Sequence, residues 1–105
     1  MAMSSSFEGV AMVQVVENRA DLEGELLDIR PDPDRPGHKR LTVAVSSVRE
    51  VESFPNLLGG VRGTRTEIVV PDDQAGALKP GTTVRCRARR AGPMVVYAES
   101  CAPTE

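Results

Sequence analysis

Along the chain, apolar and polar positions alternate in short runs divided by turn-forming residues. The cleanest is Leu41-Thr42-Val43-Ala44-Val45-Ser46, whose leucine and valines share one face, the period-two signature of a half-buried strand. Beyond Ser46-Ser47 the apolar positions become Val48 and Val51, a parity slip that predicts a β-bulge bending a long strand around a small barrel. Before this run, Leu22 to Ile29 reads as a strand stopped by Pro31, and three prolines and a glycine make residues 31–38 a turn-rich loop. Thr64 to Val70 is a further strand. Thr82 to Arg90 and Met94 to Ser100 are the last two, joined through Ala91-Gly92-Pro93 as a tight hairpin. Between them, residues 71–81 carry helix punctuation: Asp72 as cap, Lys79 at the end, then Pro80-Gly81, with room for two turns at most. Residues 9–17 are apolar on both parities and read as an extra strand, although Met12, Val15, Val16 and Leu22 also fit a helical face. Residues 1–8 and 101–105 read as tails around a single domain over 9–100.

Composition agrees with this pattern. Valine occurs 14 times against seven leucines and two isoleucines, and β-branched enrichment suits pleated surfaces. A chain of 105 residues supports one domain with a modest core. It holds no apolar run of the roughly 20 residues that cross a bilayer. Its start has neither the basic cluster nor the apolar stretch of a secretory signal. Net charge is only −2, but it is unevenly spread: −6 over residues 1–34 and +4 over residues 35–105. Eleven of the 13 basic residues are arginines, planar forks suited to carboxylate or phosphate, a bias that codon usage would also produce.

From Leu22 onward the order is strand, strand, long loop, strand, short helix, strand, strand. Leu78-Lys79-Pro80-Gly81-Thr82-Thr83-Val84 leads into the fourth strand. This order resembles an OB-fold over about residues 21–100, and the fold class expected is all-β with one short helix: a five- to six-stranded Greek-key barrel. The resemblance implies a strand face and loops that take oligonucleotides or oligosaccharides. It reaches the fold only, not a particular family.

The sharpest chemical feature is Val84-Arg85-Cys86-Arg87-Ala88-Arg89-Arg90. On a strand, Val84, Cys86 and Ala88 turn inward while Arg85, Arg87 and Arg89 line up outside at about 6–7 Å. That spacing approaches the phosphate pitch of an extended single strand. With Arg90, and with Arg62, Arg65 and Arg40 flanking, the stripe is a candidate single-stranded nucleic-acid surface. Tyr97 on the neighbouring strand would stack bases. Only three residues are aromatic and the chain is acidic overall, so a solvated face, or an edge charged against aggregation, remains the plainer alternative. A second candidate is the loop holding Phe54, Leu57, Leu58 and Val61, a protein-interaction patch unless these residues fold back to plug the barrel. In that case the arginines would meet an acidic protein partner.

Other constellations carry less. Asp32-x-Asp34 with Gly37 has a calcium-loop look, but Pro36 and Val43 stand where ligands would be needed, which leaves a turn. With the hairpin centred on Gly92, Cys86 falls opposite about Ala98. Cys101 then lies roughly 10 Å further on, beyond the reach of a disulfide. Two free thiols are expected, as in a reducing cytoplasm. His38, the single histidine, has only Asp34 and Ser46 as local partners, so a hydrolase centred on it is a remote third reading. The expectation is therefore a cytoplasmic binding module, not an enzyme, with no cofactor, no metal and no membrane.

Overall fold

The structure, a computed structural model, describes residues 17–92 and 95–104. Five strands run β1 Ala20–Pro31, β2 His38–Glu50, β3 Arg65–Pro71, β4 Thr83–Gly92 and β5 Val95–Pro103. A 3-10 turn, Gly59–Val61, precedes β3, and one short helix, α1 (Asp72–Ala75), follows it. The strands close into a barrel in the order β1-β2-β3-β5-β4, with β4 returning to β1. All pairs are antiparallel except β3·β5, which meets only through Ile68↔Val96 and Val69↔Tyr97. The fold is thus all-β with one short helix. The expected strand over 9–17 and the tail over 1–8 lie, Glu17 apart, outside the described residues. Among the described residues no helix is long and apolar enough to cross a membrane.

The period-two pattern builds the core. Leu41, Val43 and Val45 of β2 are buried, as are Leu22 and Leu26 of β1, Ile68 and Val70 of β3, and Val84, Cys86 and Ala88 of β4. Two further leucines enter from irregular segments, Leu58 from the long loop and Leu78 from the segment after α1. Each buried side chain of this size contributes about 1.5–3 kcal/mol. The parity slip in β2 has the predicted cause: Glu23 pairs Ser47 while Gly24 pairs Val45, which leaves Ser46 as the extra residue. Its hydroxyl donates to the Glu23 carbonyl at 3.0 Å. Directly beside this bulge sits Gly24. A Cβ there would collide with the Ala44 carbonyl oxygen and lie 2.9 Å from Val45 Cα.

Several expectations are corrected. Helix α1 has four residues, within the two turns allowed, but Pro71 and not Asp72 holds its N-cap position, without a side-chain bond. Asp72 is no cap: its carboxylate accepts from Lys39 Nζ at 2.9 Å. The terminal hairpin stays paired to Gly92↔Val95, so Ala91 and Gly92 belong to β4 and not to the turn. A register shift between Arg87 and Ala88 then adds one residue on β5. That shift cancels the opposite one at Ala91, so the register begun at Gly92↔Val95 sets Cys86 directly opposite Cys101, with Cα atoms 4.1 Å apart, and the two form a disulfide. The chain has no free thiols, and the free-thiol argument for a cytoplasmic setting loses its premise. Nor are residues 101–103 a tail: they end β5, and Cys101 is buried.

Candidate nucleic-acid interface

Strand β4 presents its arginines as the alternation requires. Val84, Cys86 and Ala88 are each 1% exposed, while Arg85 and Arg87 stand outside. Barrel closure, however, brings the outward acids of β1 alongside them: Asp21 pairs Arg87 in register and Glu23 pairs Arg85. Arg87 reaches Asp21 through two bonds, from Nε at 3.0 Å and Nη2 at 3.2 Å. Arg85 Nη2 lies 3.4 Å from Glu23 Oε1. The Asp21 carboxylate, hydrogen-bonded to the guanidinium, raises the Arg87 pKa still further. These four residues border an open groove of about 790 Å³ that runs on past Ser100 to Gln74. An anion entering it would meet guanidinium groups whose charge is already balanced by these carboxylates. Half of the expected stripe is therefore already neutralised by its own chain.

The remaining arginines separate. Arg89 has no acid partner among the described residues; its Cζ sits 5.1 Å from the Tyr97 ring centroid. The His38 ring approaches the same tyrosine at 5.9 Å, tilted by 52°. Arg90 Nε donates to the Leu57 carbonyl at 3.3 Å, so it turns toward the long loop. Its backbone is gripped on both sides by the buried Asn18 amide, Nδ2 to the Arg90 carbonyl at 3.1 Å and the Arg90 N–H to Oδ1 at 2.8 Å. This side chain prolongs the β1·β4 ladder past Ala20. Arg65 opens β3, which β5 separates from β4 in the sheet, so Arg65 and its exposed neighbour Arg62 do not extend the β4 stripe.

Arg40 belongs to a network that the sequence reading missed. Asp32, treated there as a turn residue, has a side chain with no exposed surface. It accepts the Asp34 N–H at 2.9 Å, Arg35 Nη1 at 3.2 Å and Arg40 Nη2 at 3.0 Å. Arg40 also reaches Glu67 at 3.4 Å, and Arg30 meets the other Glu67 oxygen at 2.8 Å. Sequence offered one signal, an aspartate held among prolines where an Asx turn forms. The Asp34 N–H, then Arg35 and Arg40, hold the Asp32 pKa below its ordinary value, against the opposing effect of burial. A depressed carboxylate pKa stabilises the fold fully above the ordinary range near 3.9, and that stability is lost as pH falls through the lower native value. Amide protection across residues 32–38, corrected for the intrinsic exchange rate, is thus expected to hold at pH 5 and to fall only as the pH drops below the ordinary carboxylate range. In Asp32→Asn this acid step should vanish. A step that persisted in the variant would assign it to another group.

Beside this network Arg35, Arg40, Glu67, Val69, Val95 and Val96 line a small cleft of about 80 Å³. Val69 is in register with Tyr97, so cleft and tyrosine are neighbours on β3 and β5. The apolar loop does not act as one patch. Leu58 is fully buried, Val61 packs partly on the core, and Phe54 lies under the Arg19 guanidinium at 4.4 Å. Only Leu57 is exposed, at 43%, and a single exposed leucine is ordinary. Comparison with protein-family models finds no match for this chain, and comparison with curated protein sequences finds none either.

Proposed function

We propose that this barrel is a non-enzymatic binding module that takes single-stranded nucleic acid on its outer face around Tyr97. One observation carries the reading: Arg89 and His38 meet the ring of Tyr97 on β5, which puts a stacking surface and an uncommitted cation together. Base stacking on such a ring contributes roughly 1–3 kcal/mol, and a guanidinium beside it supplies phosphate attraction. The strand order, the parallel β3·β5 contact and the helix between β3 and β4 support the resemblance to an OB-fold, whose strand face and loops hold oligonucleotides. In this reading Arg85 and Arg87 maintain the barrel and contribute little to binding.

Titration of a fluorescent dT oligonucleotide at two salt concentrations tests it. Tyr97→Ala should weaken binding about 5- to 100-fold, whereas Arg85→Gln and Arg87→Gln should change it less than about twofold. Log affinity should fall against log salt with a slope near −1.4, from roughly −0.7 per phosphate contact, with Arg89 and one further cation involved. Absence of binding at low salt ends the proposal. A large loss in the Arg85 and Arg87 variants would move the site back to the β4 stripe.

A further inference from the structure

We infer that the cleft beside Tyr97 selects guanine among the bases of a bound single strand, an inference that rests on the nucleic-acid reading above. Two groups at the cleft have capacity left. Glu67 gives one oxygen to Arg30 and the other to Arg40, yet it is half-exposed, and a carboxylate offers about four acceptor positions. Both of its oxygens therefore accept a second donor. Arg35 spends only Nη1, on Asp32, and has no other partner among the described residues. Its remaining N–H groups are free to donate, and Asp32 holds the guanidinium in place before any ligand arrives.

The cleft thus presents a paired acceptor and a donor, with Val69, Val95 and Val96 as apolar lining. Guanine matches that order. Its pairing edge carries two adjacent donors, N1–H and the 2-amino group, next to the O6 acceptor. A carboxylate accepts both donors at once while a guanidinium meets O6. Adenine and cytosine each bring one donor group on that edge, and thymine has a single N–H between two carbonyls, so none satisfies both carboxylate oxygens. At about 80 Å³ the cleft has room for the edge of one ring, not for a whole nucleotide. The rest of the base would rest on the apolar surface toward Tyr97.

The test uses the full chain and four dT oligonucleotides that differ in one central base, G, A, C or T. The G oligonucleotide should bind roughly tenfold more tightly than the other three, within the range one bidentate pair supplies. Glu67→Gln, which keeps shape but offers one acceptor, should abolish the preference and leave affinity for plain dT within about twofold. Arg35→Gln should reduce the preference in the same way, and Glu67→Asp should retain part of it. Equal affinity for all four bases, or a preference for cytosine, overturns the guanine inference while the nucleic-acid reading stands. No binding to any of the four overturns the reading beneath it.

Discussion

Replacing Gly24 by alanine is expected to lower the unfolding free energy by about 3 kcal/mol or more, in the range where overpacking against backbone falls. The added methyl would meet the Ala44 carbonyl oxygen, with Ala44 C at 2.8 Å and Val45 Cα at 2.9 Å. These are main-chain atoms, so no rotamer change makes room. Nor is the strand free to shift outward: Gly24 pairs Val45 on one side and Val84 on the other. Relief would require opening the ladder at the Ser46 bulge or at the barrel seam. For a domain of this size each kcal/mol moves the midpoint by roughly 4–8 °C, so a loss of more than 10 °C should appear in a thermal scan. Gly60→Ala is the control. Its Cβ would meet nothing within 4 Å, and the change should stay within about 0.5 kcal/mol. A Gly24→Ala variant as stable as the Gly60 control would show that the two strands are not in this close approach.

The second large effect concerns Cys86 and Cys101. Reducing the bond, or replacing both cysteines by serine, should cost about 3 kcal/mol, the chain-entropy value for a loop near 15 residues. Both positions are buried, at 1% and 8% exposed, so serine adds the cost of burying two hydroxyls. The reduced wild-type chain therefore separates the cross-link from the packing. Urea unfolding with and without reductant reads the difference as a lower midpoint, with an m-value that rises as the released unfolded chain expands. Thiol labelling of the untreated protein should find no reactive cysteine. Labelling of two thiols, with an unchanged midpoint on adding reductant, would mean that the link does not form.

Much of the architecture was legible in the sequence because it depends on parity and punctuation. The alternation around Leu41 and around Val84 decides which side chains face inward, and the parity slip after Ser46-Ser47 predicted the bulge that Ser46 forms. What escaped depends on register between strands distant in the chain. Pairing that begins at Gly92↔Val95, in place of a register centred on Gly92, moved Cys101 from roughly 10 Å away to a position facing Cys86. No local pattern reports such a shift. The arginine stripe was recognised, but its neutralisation was not, since that requires knowing that β4 returns to β1 and not to an open edge. Asp32 was missed for a related reason: its partners Arg35 and Arg40 become a cage only when the hairpin of β1 and β2 folds around it.

The seam between β1 and β4 also bears on how the molecule assembles. Its ion pairs join residues 62 and 66 positions apart, the acid-rich opening of the chain to its arginine-rich end. Such a ring cannot shut until β4 has been made and has returned to β1, and long closures of this kind belong to the slow end of two-state folding. Attraction between the oppositely charged ends draws them together over distances that salt screens within about 10 Å at 0.1 M. Refolding should accordingly slow as ionic strength rises, while the exposed pairs themselves leave equilibrium stability nearly unchanged. The uneven charge of residues 1–34 and 35–105 should thereby help to guide β4 back to β1.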